Sequence, residues 1–150
     1  MLGKDGGNPL TINPNMFSDT MVTEPNLYEE PNHDFVPKII FVDLDGTISY
    51  NPQEPEFADR HADYAKAEPI PERIEHINRL FDEGHHITIW TARGCVSGKD
   101  YYRMTEQQLE DWGVRYTDLQ VGNKPHFDMY ICDKSYNSET YFHRLGQGLP

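Results

Sequence analysis

The sequence predicts an α/β fold built on a parallel sheet. Two observations carry that expectation. Short apolar, strand-like segments alternate along the chain with two segments of helical period, an order that favours a parallel sheet with right-handed crossovers. The first of those strands, Ile39-Ile40-Phe41-Val42, runs straight into Asp43-Leu44-Asp45-Gly46-Thr47. Carboxylates are costly to bury unless paired or bound to metal, and ligands in open α/β sheets sit at the carboxyl ends of strands.

The 150-residue chain suits one domain with a real core. Residues 1–36 differ from the rest, being rich in Asn, Pro, Gly and acids without a sustained apolar period. They are expected to form a polar N-terminal arm, with residues 37–150 as the folded domain. Phe17, Met21, Leu27 and Tyr28 are the arm residues able to pack on the domain or on a neighbouring chain.

The strand over 39–42 comes first, since β-branched and aromatic residues favour a pleated, buried setting. Ser49 to Ala67 is polar, with Pro52 and Pro55, and predicts a loop with a short helix around Phe57 to Ala65. Pro69 and Pro71 then introduce a helix with Ile74, Ile77, Leu80 and Phe81 on one face, stopped by Gly84. His86 to Trp90 alternates into a second strand ending at Thr91-Ala92-Arg93-Gly94. Thr105-Glu106-Gln107-Gln108 has capping-box spacing and can open a helix through Leu109 and Trp112 to Gly113. A start near Asp100 fits equally. Leu119 to Val121 is a third strand and Met129 to Cys132 a fourth, ending at Asp133. No internal repeat is visible.

The net charge of −12 argues against nucleic acid or an anionic membrane as partner. A small phosphorylated molecule held by a few local cations and a metal stays compatible with it. Cys95 and Cys132 make no disulfide framework. The N-terminal residues show no signal-peptide pattern and no apolar run reaches spanning length, so a cytoplasmic setting is expected. A homo-oligomer is compatible with the sequence.

In a parallel sheet the four strand ends share one edge. That edge would gather Asp43, Asp45, Thr91, Lys124 and Asp133, a set suited to phosphoryl transfer. Mg²⁺ takes hard oxygen ligands, for which Asp43 and Asp133 are the natural side chains. A carboxylate can attack phosphorus directly and split hydrolysis into two easier steps, which makes Asp43 the candidate nucleophile. Asp45, two residues on, can protonate the leaving oxygen and later take a proton from water. Gly46 lets the backbone turn where phosphate approaches. Amides there and around Ala92, with the hydroxyls of Thr47 and Thr91, are candidate donors to phosphate oxygens. Lys124 would place positive charge on the phosphoryl group. Asp-x-Asp-Gly-Thr arises by chance in roughly one in several hundred chains of this length.

Asp43-Leu44-Asp45-Gly46-Thr47, then Thr91, Lys124 and Asp133, resembles the four ordered motifs of the haloacid dehalogenase superfamily, over about Lys38 to Phe142. Ile77-Asn78-Arg79-Leu80, Gly84-His85, Thr91-Ala92-Arg93-Gly94, Gln108-Leu109 and Trp112-Gly113-Val114 are similar to strings in small phage-type and capsular-polysaccharide members. The resemblance implies a three-layer Rossmann-like parallel sheet with minimal or no cap. It implies a Mg²⁺-dependent phosphomonoester hydrolase acting through an aspartyl phosphate. Asp43 would then be nucleophile and metal ligand. Asp45 would be acid/base and a metal ligand through its carbonyl. Thr91 and Lys124 would hold the phosphoryl group, and Asp133 would bind metal. The family often has two adjacent acids where this chain has Cys132-Asp133; Asn137 is the candidate second polar partner.

With a small flap at most between Ser49 and Ile70, and one loop and one short helix between Ala92 and Asn123, the site is expected to be open, for a sugar phosphate or another phosphorylated substrate. Arg93, Lys99, Tyr101, Tyr102 and Arg103 are candidates to touch the leaving group. Two rival expectations are a phosphatase for nucleic-acid ends and a catalytically weak module that binds a phosphorylated ligand or a protein. His85-His86 enters its strand from the end away from the site, and His126 reads as a surface turn.

Overall fold

The computed structural model describes residues 34–52 and 63–146. The chain divides between Phe35 and Val36, and the second unit is described here. The expected arm, residues 1–36, lies almost wholly outside the described residues, as do residues 57–62 of the expected short helix.

Three parallel strands form the sheet: β1 (Ile39–Val42), β4 (His86–Thr91) and β5 (Asp118–Val121), in the order β1-β4-β5. Ile40 pairs with Ile87 and Val42 with Ile89; Thr88 pairs with Asp118 and Thr91 with Val121. Between β1 and β4 lie a two-residue antiparallel pair, β2 (Ser49–Tyr50) and β3 (Glu68–Pro69), and a single 3₁₀ turn over Tyr64–Lys66. Ser49 and Tyr50 thus pair with Pro69 and Glu68 across the expected loop, and a helical turn falls at Tyr64–Lys66.

Helix α1 (Pro71–Asp82) begins with proline at its first turn, where the missing N–H costs nothing. It ends as the sequence suggests. Gly84 is left-handed, its N–H donates to Phe81 O, and the His85 N–H donates to Leu80 O, the paired bonds of a Schellman stop. Helix α2 (Tyr102–Asp111) starts earlier than the capping box allows. The Asp100 carboxylate accepts from the Tyr102 N–H at 2.9 Å. Thr105 turns its hydroxyl into the interior instead. Helix α3 (Ser138–His143) is capped by Asn137, whose side chain accepts from the Glu139 and Thr140 amides.

One core joins all of these. Val42, Ile87, Ile89 and Leu119 of the sheet meet Ile74 and Ile77 of α1, Leu109 of α2 and Phe142 of α3. The three helices thus contribute to a single apolar layer. On the other face Ile39 is 73% and Phe41 53% exposed, and Phe41 stands edge-on to Trp90 at 5.5 Å. The architecture is α/β with a short parallel sheet. A second helical layer is absent among the described residues.

The fourth strand is also absent. Residues 129–132 pair with no strand, and Met129 and Ile131 are 76% and 89% exposed. The chain bends just beyond, at Asp133 and Lys134. Cys132 Sγ accepts from the Lys134 N–H at 3.4 Å. That bond and one from the Tyr130 hydroxyl lower the thiol's pKa, the tyrosine having the larger effect.

Candidate active site

The turn after β1 fixes both aspartates. Leu44 and Ile48 are fully buried and hold the segment in the core. The Leu44 carbonyl accepts from the amides of Thr47, Ile48 and Ser49 at 3.0–3.2 Å. With Leu44 turned inward, Asp43 and Asp45 on either side reach the carboxyl edge of the sheet. Gly46 has φ +80°, and a Cβ there would meet nothing within 4 Å. Its requirement is the backbone angle, not space. Arg73 of α1, fully buried, donates to Thr47 O at 2.9 Å and to Glu139 of α3 at 2.8 Å. Its guanidinium stacks on Phe142, 4.5 Å from the ring centroid.

Each aspartate has its own cation. Lys124, just past β5, donates to Asp43 Oδ1 at 2.8 Å, and Thr47 Oγ1 donates to Oδ2 at 3.2 Å. The Lys124 ammonium also lies 5.3 Å from the Trp90 ring centroid, and Trp90 donates its indole N–H to Asn123. Arg93 grips Asp45 through Nε to Oδ2 at 2.8 Å and Nη2 to Oδ1 at 2.7 Å. Ser49 Oγ lies 3.3 Å from Asp45 Oδ1 and 3.3 Å from Leu44 O, so one hydroxyl hydrogen serves two acceptors.

The sequence-predicted residues separate into two groups. Asp43, Asp45, Thr47, Lys124 and Arg93 come together as one polar cluster. Thr91 lies beneath it, 2% exposed, with Oγ1 accepting from the Arg93 N–H at 3.3 Å. Ala92 sits in the turn between them and accepts from the Cys95 N–H. Gly46 accepts from the Ser138 hydroxyl at 3.3 Å. Asp133 does not join. It is exposed, and among the described residues no three His, Cys, Asp or Glu side chains are grouped as metal ligands. The 129–132 segment that precedes it pairs with no strand. The side-chain oxygen of Asn137 is used in capping α3.

Arg93 also differs from expectation. It is 1% exposed, and its Nη1 donates to Thr105 Oγ1 at 3.2 Å and to Gln108 Oε1 at 2.6 Å. Its guanidinium is turned inward onto Asp45, Thr105 and Gln108. Lys99, Tyr102 and Arg103 are exposed, while Tyr101 stacks edge-on with Tyr64 at 5.0 Å. Burial pushes the Tyr64 phenol above its usual range, and the negative charge of Asp45 adds to this. The phenol stays neutral beside the guanidinium.

Sequence reasoning missed Arg73, Gln108, Tyr64 and Trp90. A signal existed for two of them. Arg73 shares a helical stripe with Ile77 and Leu80, and Gln108 shares one with Thr105, Leu109 and Trp112. A polar residue on an apolar stripe must be buried with a partner.

No protein-family model matches the chain, and no curated protein does. Its structure is similar to a crystal structure of an MCSG target from Vibrio cholerae, at TM-score 0.56 and 23% identity. The match covers 71% of this chain and 87% of that one. At that identity the likeness concerns the fold alone. No helix among the described residues is long and apolar enough to cross a membrane.

Proposed function

We propose that the chain is a Mg²⁺-dependent phosphomonoester hydrolase of the haloacid dehalogenase type, with Asp43 as nucleophile. The supporting observation is the pair Asp43 and Asp45 at one strand end, each matched by a cation, Lys124 at 2.8 Å and Arg93 at 2.7 Å. Asp43 is the more accessible, its side chain 41% exposed. One Asp43 oxygen would form the bond to phosphorus as the ester oxygen leaves, and Lys124 would counter charge on the phosphoryl oxygens. Asp45 would give its proton to the leaving oxygen. Water would then attack the aspartyl phosphate while Asp45 takes the proton back. Both Asp45 oxygens are held by Arg93, so one of them must let go for that transfer.

The donor set fits Mg²⁺, which takes one or two carboxylates and completes its shell with water and phosphate oxygens. The Asp43 carboxylate and the Asp45 carbonyl would hold it, and it would supply positive charge against the substrate phosphate. A phosphorylated small molecule is the substrate class of this reading.

The test is phosphate release from an aryl phosphate with and without Mg²⁺, for the parent protein and Asp43→Asn. Turnover that survives Asp43→Asn, in a sample cleared of contaminating phosphatase, overturns the mechanism. A second reading is a catalytically weak module that binds a phosphorylated ligand. The grip on both Asp45 oxygens and the position of Asp133 outside the cluster favour it. Sustained Mg²⁺-dependent turnover removes it.

A further inference from the structure

Gln108 and Tyr64 have no part in the chemistry proposed above, yet both converge on Arg93. A guanidinium has five N–H hydrogens. Four are directed: Nε and Nη2 to Asp45, and two on Nη1 to Thr105 and Gln108. Its flat face lies 4.8 Å from the centroid of the Tyr64 ring. With Arg93 only 1% exposed, moving it means breaking several of these contacts at once.

The Gln108 amide is fixed from both ends. Its Oε1 accepts from Arg93 at 2.6 Å, and its Nε2 donates to the Tyr64 carbonyl at 2.7 Å. The two ends of an amide differ chemically, so only one orientation satisfies both neighbours. Leu109, next in α2, is fully buried in the core and sets the depth at which Gln108 stands. Tyr64 comes from the segment between β2 and β3. Four parts of the fold therefore meet on one guanidinium: α2, the β2–β3 connection, the turn after β1 that carries Asp45 and the turn after β4 that carries Arg93 itself.

We propose that Gln108 and Tyr64 are positioning residues for Asp45, acting through Arg93. Gln108 sets the rotation of the guanidinium about its long axis, and the Tyr64 ring sets its plane. Together they fix the direction in which the Asp45 carboxylate is presented. The inference rests on the reading of Asp45 as acid/base. It further makes the β2–β3 connection an input to that group, since displacing Tyr64 frees one face of Arg93 and one end of Gln108.

The full-length protein serves for the test, with Gln108→Leu, Gln108→Glu and Tyr64→Leu. In ¹⁵N and ¹³C NMR spectra the parent protein is expected to show a slowly exchanging Arg93 Nε–H and a single sharp Asp45 carboxyl resonance. Gln108→Leu should speed that exchange at least ten-fold and shift the Asp45 carboxyl. The Ile89 amide, in the core of the sheet, should keep its protection. Gln108→Glu keeps an acceptor for Arg93 and should restore most of the slow exchange. With aryl phosphate and Mg²⁺, Gln108→Leu should lower kcat about ten-fold or more and leave KM within two-fold.

Unchanged Arg93 exchange and Asp45 resonance in folded Gln108→Leu overturn the inference. So does a loss confined to KM. Should Gln108→Leu fail to fold, Tyr64→Leu and Gln108→Glu decide by the same signals. A parent protein that releases no phosphate sinks the functional reading, while the NMR result still decides whether these residues position Asp45.

Discussion

Replacing Arg73 with methionine keeps the length of a buried side chain and removes its charge. Contacts to Thr47, Glu139 and Phe142 go with it. The charge-assisted bond to Thr47 O, 2.9 Å long and part-buried, accounts for about 1.5–3 kcal/mol. The ion pair with Glu139 counts for little, about 0–1 kcal/mol, because that partner's side chain is 42% exposed and screened. Stacking on Phe142 adds about 1 kcal/mol. Releasing a buried guanidinium from its desolvation cost offsets part of the loss, as does the packing of methionine. Thr47 O and Glu139 stay behind without this donor, so the balance remains destabilising, at about 2–4 kcal/mol. For a unit spanning Val36–Pro150, an unfolding entropy of about 0.24 kcal/mol/K turns 3 kcal/mol into a fall in Tm of about 12 °C. Calorimetry at pH 7 and urea titration both measure it. The same change in a Glu139→Gln background should cost somewhat less, the two sites being coupled. A fall in Tm below about 3 °C would refute the assignment of Arg73 as the brace of the Asp43–Thr47 turn.

Two glycines that look alike in sequence should behave differently. Gly46→Ala meets only the strain of a positive φ and should cost about 1–2 kcal/mol. Gly94→Ala combines φ +83° with a Cβ driven into the Lys99 carbonyl oxygen, and should cost at least about 3 kcal/mol, read in the same urea titrations. Lys124→Met should separate chemistry from folding. Its partner Asp43 is 41% exposed, so stability should change by less than about 1 kcal/mol, while phosphate release should fall by about 10² or more. His76 should make stability depend on pH. Burial lowers its pKa first, with Arg79 adding to this, so the unfolded chain binds the proton more readily. Stability should be complete above the unfolded value of about 6.5 and decline as pH falls below it towards the folded value. Thermal melts from pH 7.5 to 5 should show that slope, and His76→Asn should flatten it.

Much of the frame was legible because apolar period reports a buried face. β1, β4 and β5, and the Schellman stop of α1 at Gly84, follow from residues that need no distant partner to be understood. Met129 to Cys132 has the same local character and forms no strand, since a strand exists only when an edge accepts it. The site divides in the same way. Asp43, Asp45 and Lys124 announce themselves by charge at strand ends. Arg93 reads as a residue facing the substrate and Arg73 carries no reading of its own, whereas the fold encloses both, and the closure depends on Glu139, Gln108 and Tyr64 from remote parts of the chain.

Trp90 gives the cluster an optical consequence. The chain has two tryptophans, and Trp90 carries the Lys124 ammonium 5.3 Å from its ring centroid while its indole N–H is tied to Asn123. A cation at that distance perturbs the emission of an indole, and any ligand that draws Lys124 away from Asp43 changes the perturbation. In Trp112→Phe the remaining indole becomes a built-in fluorescent gauge of the Asp43–Lys124 pair. Addition of Mg²⁺ or of phosphorylated compounds can then be tested for an effect on that pair, without a label and without turnover.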